Sequence, residues 1–163
     1  MGRKELKDSV YMGVAREIAK LATCPRAAVG AVLLIDGRVA STGYNGAPAG
    51  KPHCIDDGCL VVDDHCQRTV HAEQNVFDYL NDADYICEEG AGRELYCTIA
   101  PCLICTKKYL LDGIQPEITG HSEVIYMRNI GRLILPNRMP ISYRGAESRE
   151  LWRAAGIEVT YID

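Results

Sequence analysis

"VGAVLLIDGRVASTGYN", Val29–Asn45, is the stretch that most directly indicates the fold. Its first part, Val29–Ile35, is a nearly continuous apolar run, which is typical of a buried strand. The Asp36–Gly37 pair that follows favours a tight hairpin turn. Residues 38–45 then have the pattern of a second strand. We therefore expect a β-hairpin early in the chain.

The segments outside the hairpin alternate between helical and extended patterns. Before it, Val10, Val14, Ile18 and Leu21 recur at helical spacing, with Met12 and Ala15 beside them, which predicts an amphipathic helix over residues 8–21. After it, helices are predicted over residues 70–80, 102–111 and 146–155, and strands over residues 95–99, 123–127 and 157–162. Gly156 suits the end of the last helix. Residues 45–68 and 129–145 are predicted loops.

This alternation predicts one α/β domain that spans residues 1–163. Helices that alternate with strands pack on both faces of a sheet. We therefore expect a three-layer α/β/α sandwich around a mixed central sheet of about five strands. A chain of 163 residues is long enough to bury one core of this kind.

Composition and charge narrow the class of protein. Hydrophobic residues make up 47% of the chain, but no run of about 18 apolar residues predicts a membrane span. Residues 1–20 are charged and lack the apolar core of a secretory signal, so we expect a cytoplasmic protein. A net charge of −4 argues against broad binding to a nucleic-acid backbone, but a small anionic ligand needs only a local cationic cluster.

The eight cysteines are many for a chain of this size. Without a secretory signal, clustered cysteine and histidine side chains indicate metal binding more often than disulfides. In "PCLIC", Pro101–Cys105, the thiols of Cys102 and Cys105 fall on one face of a predicted helix, and a helix N-terminus favours the thiolate form. This pair alone fits half of a zinc site, a redox pair or two buried small side chains.

The stretch "HAE", His71–Glu73, could complete such a site. It lies at the predicted start of a helix, for which Thr69 is a candidate cap. If this helix start meets that of Cys102, His71 becomes a third ligand and leaves the fourth position on zinc open, as in catalytic sites. Glu73 would then lie where a carboxylate can take and return protons. In isolation, Glu73 would be interpreted as a solvated glutamate of a first helical turn.

H-x-E together with P-C-x-x-C is the signature of zinc-dependent nucleobase deaminases. With "HAEQN" at residues 71–75 and "TIAPCLIC" at residues 98–105, the chain resembles the zinc-dependent cytidine/deoxycytidylate deaminase superfamily. Within it, "VGAVLL", "TGYNGAPAG", "RTVHAEQN" and the spaced loop cysteines resemble deoxycytidylate (dCMP) deaminases. The resemblance covers most of residues 10–128 and 146–160.

The resemblance implies hydrolytic deamination of dCMP to dUMP and ammonia, which supplies dUMP for dTMP synthesis. A catalytic Zn²⁺ would be held by His71, Cys102 and Cys105 and would activate water. Glu73 would move protons between that water and the cytosine ring.

The same resemblance implies residues that bind substrate and effectors. Asn45 corresponds to a residue that contacts the nucleoside. Arg26 and Tyr126 correspond best to positions that bind the phosphate, although Arg26 alone would equally be read as a surface arginine. The resemblance also implies a homohexamer regulated by dCTP and dTTP, with Gly43, Tyr44, Asn45 and Gly46 as the candidate effector region.

A second group of metal-binding side chains flanks or lies in the long loop, namely Cys24, Cys54, Cys59, His65 and Cys66, with His53 nearby. A structural Zn²⁺ closes four protein ligands around the metal and can hold a loop that lacks its own core. By resemblance to related phage and bacterial dCMP deaminases, Cys24 and Cys54 are expected ligands, with two of Cys59, His65 and Cys66. The alternative is a set of free cysteines in a reducing cytosol.

Two segments depart from the resemblance. Residues 112–126, "DGIQPEITGHSEVIY", are longer than the usual connection, and residues 129–145 are unlike the short acidic segment expected there. Because of these departures, the resemblance does not identify the loop that closes over the substrate or the residues that form the subunit contacts. Alternatives to dCMP are another cytosine nucleotide or nucleoside (dCTP, cytidine), a tRNA adenosine, or a binding module without turnover. The intact Glu73 argues against the last.

Overall fold

The computed structural model describes residues 2–80, 92–111, 115–119, 122–126, 130–139 and 145–163, with only the backbone described over 115–119 and 122–126. Its helices are α1 (Arg3–Ala19), α2 (Cys54–Asp57), α3 (Ala72–Asp78), α4 (Leu103–Cys105), which continues as a π-helical turn over Thr106–Leu110, and α5 (Gly145–Ala154). Its strands are β1 (Gly30–Ile35), β2 (Arg38–Tyr44), β3 (Val61–Val62), β4 (His65–Cys66), β5 (Arg93–Cys97), β6 (Gln115–Thr119), β7 (Ser122–Tyr126), β8 (Arg132–Pro136) and β9 (Glu158–Ile162). Within the described part of the chain, no helix is long and apolar enough to cross a bilayer.

Five strands form one mixed sheet in the order β2-β1-β5-β8-β9. β1 pairs antiparallel with β2 and with β5. β8 pairs parallel with β5 and with β9. The predicted α/β class and five-stranded mixed sheet are therefore confirmed.

The predicted hairpin is present as β1 and β2. Both turn residues have positive φ angles, 50° at Asp36 and 77° at Gly37, which is the backbone of a type I′ turn. Asp36 also ties the turn to the sheet. Its Oδ1 accepts the Gly92 N–H at 2.9 Å, and its own N–H donates to the Gly92 carbonyl at 2.9 Å. The hairpin is thereby fixed to the start of β5.

Alternate residues of β1 face two different helix layers. Ala31 and Leu33 pack in a buried cluster with α3, the π-helical turn and α5. Val32 and Leu34 pack in a second cluster with α1. The predicted three-layer α/β/α sandwich is therefore present. Helix α3, which follows His71, lies in the same layer as α4, which follows Cys102.

The orientation of α1 corrects the sequence-based prediction. Its buried residues are Asp8, Met12, Ala15 and Ala19. In contrast, Val10 is 54% exposed and Leu21, just after the helix, is 56% exposed. A Cβ at Gly30 of β1 would lie 2.6 Å from the Ala19 nitrogen, so helix and strand backbones are in close approach. Only the face with small residues permits this distance, and the spacing of the larger apolar residues therefore indicated the wrong face.

The fourth strand of the sheet comes from a segment predicted as a loop. β8 lies between β5 and β9 and is buried along its whole length. The strand begins at Arg132 and ends at Pro136. Because a charged residue and a proline are unusual in a central strand, the short apolar run between them was not predicted as a strand. Arg132 is tolerated there because it pairs with Asp8 of α1 and with Glu94 of β5, the latter at 2.9 Å. The strand predicted over residues 123–127 instead forms a separate hairpin, β6–β7.

The remaining helices agree with the predictions, apart from their boundaries. The helix predicted over residues 70–80 is α3, and the one over 102–111 is α4 with its π-helical turn. Gly156 follows α5 with a φ of 72°, as expected of a residue that ends a helix. The Ile157 N–H then donates to the Trp152 carbonyl at 2.9 Å.

Candidate active site and cysteine cluster

Three predicted metal ligands meet where two helices begin. His71 precedes α3 and Cys102 precedes α4, both with extended backbone angles, while Cys105 ends α4. The His71 Nδ1 lies 3.6 Å from the Cys102 Sγ and 3.4 Å from the Cys105 Sγ. All three ligand atoms lie within 4.8 Å of one another. The structure thus brings together the residues that the two motifs singled out.

The start of α3 differs in one detail from the prediction. The helix begins at Ala72, so His71 occupies the N-cap position and Thr69 does not. The extended conformation of His71 directs its ring towards the cysteines instead of along the helix. The Thr69 side chain instead contributes to lowering the pKa of Cys66, which belongs to the second cysteine group.

The chemistry of these donors fits a zinc ion. A hydrogen bond from Cys105 lowers the pKa of Cys102 to about 4, with a further contribution from His71. The same contact and burial raise the pKa of Cys105, and the hydrogen bond with Cys102 raises the pKa of His71. The lowered pKa favours the thiolate form of Cys102, which lies beside an imidazole and a second sulfur. One nitrogen and two sulfur ligands leave a tetrahedral zinc one open position.

Glu73 lies in the first turn of α3 and is buried. Burial raises the pKa of its carboxyl to about 7, although the charge of His71 opposes the shift. A carboxyl with a pKa near 7 can both accept and donate a proton near neutral pH. A solvated glutamate, the alternative interpretation of "HAE", would not be buried, and the structure therefore excludes it.

A cavity of about 300 Å³ opens beside two of the three ligands, His71 and Cys102. Its lining also includes Glu73, Arg26 and Asn45. Two of the three predicted metal ligands, the predicted proton carrier and two of the predicted substrate residues therefore share one pocket.

The buried Asn45 is held by the segment that follows Cys24. Its Oδ1 accepts the Val29 N–H at 2.7 Å, and its Nδ2 donates to the Ala27 carbonyl at 2.8 Å. These two bonds orient the amide and shape the pocket wall. The candidate effector segment is divided by this arrangement, since Gly43, Tyr44 and Gly46 line a different groove of about 430 Å³, together with Ile18 and Leu21.

Arg26 forms an ion pair that the sequence did not indicate. Its Nη2 donates to the Asp64 Oδ1 at 2.8 Å and to the Asp64 backbone carbonyl at 2.9 Å. Asp64 also lines the pocket. In the sequence it is one of several acidic residues of a long loop, and nothing there distinguishes it. Tyr126 lies on β7, whose side chains are outside the described residues, so its role stays a prediction.

The second group contains four cysteines. The sulfur atoms of Cys24, Cys54, Cys59 and Cys66 lie within 4.8 Å of one another. Cys24 Sγ is 3.7 Å from Cys59 Sγ, and Cys54 Sγ is 3.5 Å from Cys66 Sγ. His65, a candidate ligand, is not part of this group. It neighbours Cys66 on β4, where successive side chains point to opposite faces, so only one of the two reaches the centre.

Two thiols of this group have pKa values shifted in opposite directions. Burial raises the pKa of Cys54 to about 12, with hydrogen bonds from neighbouring thiols adding to the shift. Burial also acts on Cys66, but the Arg68 N–H and neighbouring side chains outweigh it and lower its pKa to about 6. Four sulfur ligands without an open position are typical of structural zinc. Cys97 is buried but belongs to neither group, and Cys87 lies outside the described residues.

Comparison with known proteins agrees with this geometry. Residues 5–120 match the family described as the cytidine and deoxycytidylate deaminase zinc-binding region. The ComE operon protein 2 of Bacillus subtilis is 41% identical over 105 residues, which are 64% of this chain and 54% of that protein. The chain thus spans about half the length of this relative.

Two phage proteins are also similar. The deoxycytidylate deaminase of Mycobacterium phage D29 is 35% identical over 119 residues, covering 66% of this chain and 89% of that protein. A solved structure of the dCMP deaminase from cyanophage S-TIM5, in complex with dCMP and dUMP, covers 99% of both chains with a TM-score of 0.69 and 24% identity. At this identity, the structural likeness concerns the fold.

Proposed function

The chain belongs to the cytidine and deoxycytidylate deaminase zinc-binding family, and from this premise we propose that it hydrolyses dCMP to dUMP and ammonia. The reaction would supply dUMP for the synthesis of dTMP. Support for dCMP comes from the relative in phage D29 and from the S-TIM5 phage structure, which are both named dCMP deaminases. The sequence features "TGYNGAPAG" and the loop cysteines point to the same substrate.

The observation that carries the proposal is the burial of Glu73 beside His71, Cys102 and Cys105. His71, Cys102 and Cys105 would hold zinc, which when bound supplies a Lewis acid that activates water at neutral pH. A carboxyl whose pKa is about 7 is suited to carry protons in both directions. The site therefore contains both parts that hydrolytic deamination requires.

Glu73 would move protons at two stages of the reaction. It accepts a proton from the attacking water and delivers it to N3 of the cytosine ring, while the water oxygen bonds to C4. It then takes the proton of the new C4 hydroxyl and transfers it to the 4-amino group, so that the C4–N bond breaks, the C4 carbonyl forms and ammonia leaves. The products are the uracil ring of dUMP and ammonia, so atoms and charge balance.

Asn45 and Arg26, which line the same pocket as His71 and Glu73, would orient the nucleotide. Asn45 is fixed by its bonds to Ala27 and Val29, and it presents a preorganised polar surface to the nucleoside. Arg26 would bind the 5′-phosphate, because a guanidinium matches the geometry of phosphate oxygens. Tyr126 is the second proposed phosphate contact.

We further propose a structural zinc at Cys24, Cys54, Cys59 and Cys66. These residues come from three separate parts of the chain around the long loop. The loop has two short hairpin strands, β3 and β4, and one helical turn, α2, and the side chains of Val61 and Val62 are exposed. A metal that joins the four sulfur atoms would hold this loop against the pocket.

The proposal extends to assembly and regulation. A hexamer controlled by dCTP and dTTP would need a subunit interface and an effector site. The outer face of α1 exposes Leu6, Val10 and Val14, an apolar surface suited to contact with a second copy. The groove at Gly43, Tyr44 and Gly46 would accept the effector. Light scattering with and without each triphosphate, together with rates at fixed dCMP, tests both statements.

A substrate panel tests the function directly. The purified, zinc-loaded protein is offered dCMP, cytidine, dCTP and an adenosine-bearing RNA stem-loop, and ammonia release and the absorbance of the base are followed. We expect dCMP to have the highest kcat/KM. If dCMP stayed unchanged while the stem-loop released inosine, the proposed function would be wrong. A preference for dCTP or cytidine would keep the chemistry and change the substrate.

A further inference from the structure

The Arg26–Asp64 ion pair occupies the solvent side of the proposed active-site pocket. The two side chains are 41% and 94% exposed, whereas Glu73 is buried. Both members of the pair line the pocket that also contains His71 and Glu73. A nucleotide whose base reaches Glu73 would therefore have its 5′ end towards Arg26 and Asp64.

The two bonds from Asp64 to Arg26 have different consequences. The backbone carbonyl accepts from the Arg26 Nη2 at 2.9 Å whatever the side chain of residue 64 is. The carboxylate accepts at 2.8 Å and adds a negative charge next to the guanidinium. The bond to the backbone carbonyl positions Arg26. The bond to the carboxylate neutralises the guanidinium charge that a phosphate would otherwise bind.

Both partners of the ion pair lie next to residues of the cysteine cluster. Arg26 follows Cys24 by two residues, and Asp64 precedes Cys66 by two residues. The sulfur atoms of Cys24 and Cys66 are neighbours in the cluster. The pair therefore joins two loops next to the point where the proposed structural zinc would hold them together, which favours a constant position over a chance surface contact.

We propose that Asp64 is a specificity-determining residue for this pocket: its carboxylate occupies Arg26 until a phosphate monoester displaces it, and its backbone carbonyl keeps Arg26 directed at the pocket. The inference rests on the proposed deamination of dCMP. An exposed ion pair is weak, so a phosphate dianion, which can bind a guanidinium through two oxygens, replaces it readily. The carboxylate still opposes the phosphate, and it thereby sets the affinity for nucleotides without affecting nucleosides.

The first test compares Asp64→Asn with Asp63→Asn. Asp63 and Asp64 both have left-handed backbones, with φ angles of 47° and 61°, and asparagine tolerates this conformation as aspartate does. Only Asp64 lines the pocket, so Asp63→Asn is the matched control. Both variants should keep the wild-type zinc content, which shows that the cysteine cluster is intact.

Steady-state kinetics with dCMP and with deoxycytidine give the decisive result. We expect Asp64→Asn to lower KM for dCMP about two- to five-fold, the range for loss of an exposed ion pair, with little change in kcat. KM for deoxycytidine should match that of Asp63→Asn. A merely structural role of Asp64 would change both substrates alike.

A double-variant cycle tests whether Asp64 acts through Arg26. Arg26→Gln should raise KM for dCMP by about tenfold or more, because charge-assisted bonds to phosphate are lost. In the Arg26→Gln background, the effect of Asp64→Asn on KM for dCMP should disappear.

Two results would overturn the inference, and they differ in scope. The proposed role of Asp64 would be wrong if Asp64→Asn and Asp63→Asn had the same ratio of KM for dCMP to KM for deoxycytidine. It would also be wrong if Asp64→Asn raised KM for dCMP. In both cases the proposed function would stand. If the wild-type protein deaminated neither dCMP nor deoxycytidine, the proposed function would fail together with the inference.

Discussion

Gly43 of β2 lies directly against the backbone of α3 at Ala72. A Cβ at Gly43 would contact the Ala72 carbonyl and lie 2.8 Å from the Val76 nitrogen. Ala72 stands between His71 and Glu73, so this contact sets the position of the helix start that carries both residues. Gly43 therefore has a packing role, in addition to any role in effector binding that the resemblance implies.

Replacing Gly43 by alanine should displace α3 from the sheet. We expect a loss of about 1–3 kcal/mol in the free energy of unfolding, the usual cost of forcing extra volume into a packed core, and a lower zinc content at the active site. Urea unfolding and metal analysis measure both. Gly13→Ala is the matched control, since a Cβ at Gly13 of α1 meets no atom within 4 Å and alanine favours the helix. Equal stability of the two variants would contradict the packing role.

Glu73→Gln should separate metal binding from turnover. The amide keeps the shape of the side chain but cannot carry protons, so we expect unchanged zinc content and a fall in kcat of at least about 10². Asp78→Asn, an exposed change at the end of the same helix, should retain full activity. Activity of Glu73→Gln close to that of Asp78→Asn would show that another group transfers the protons.

The parts of the molecule that were predicted from the sequence depend on local patterns. The β1–β2 hairpin follows from an apolar run and one turn dipeptide. His71, Cys102 and Cys105 were recognisable because few side chains bind zinc and because each motif begins a helix. Such patterns involve only a few neighbouring residues, so they can be recognised without knowledge of the tertiary fold.

The parts that were missed depend on partners far apart in the chain. Arg132 made β8 look like a loop, and its burial is explained by two carboxylates far along the chain, Asp8 at 124 residues and Glu94 at 38 residues. Asp64 meets Arg26 across 38 residues. The choice of Cys66 over His65 depends on which face of the short strand β4 points to the other cysteines. In each case the residue is visible in the sequence, but its structural role depends on a contact that only the folded structure shows.

Cys54→Ser should remove one metal from the protein. We expect about two zinc ions per chain in the wild type and one in the variant, with a lower melting temperature, because a structural zinc contributes its binding energy to folding. Cys97→Ser, at a buried thiol of β5 outside both groups, should keep two zinc ions and thereby controls for the loss of any one thiol. Unchanged metal content and melting in Cys54→Ser would remove the second site.

The buried ion pair between Asp8 and Arg132 should make stability depend on pH in the acid range. Burial raises the pKa of Asp8, but the Arg132 guanidinium and the Tyr96 hydroxyl outweigh it and hold that pKa below its usual value of 3.8. Unfolding returns the pKa to the usual value, so the unfolded chain binds a proton more readily than the folded one. The stabilisation by Asp8 is therefore complete well above pH 3.8 and is lost as the pH falls through the lower, folded-state value.

Asp8→Asn removes this contribution and leaves Arg132 with one carboxylate fewer. We expect a loss of about 3 kcal/mol in the free energy of unfolding at pH 7, because breaking a buried pair leaves a charge without its partner. The difference from the wild type should shrink below pH 3.8. Glu17→Gln, which breaks the exposed Glu17–Lys20 pair on the same helix, should change stability by less than about 1 kcal/mol at any pH. Urea unfolding of the three proteins between pH 3 and pH 7 measures this, and a difference for Asp8→Asn that did not vary with pH would show that the charge of Asp8 is not what stabilises the fold.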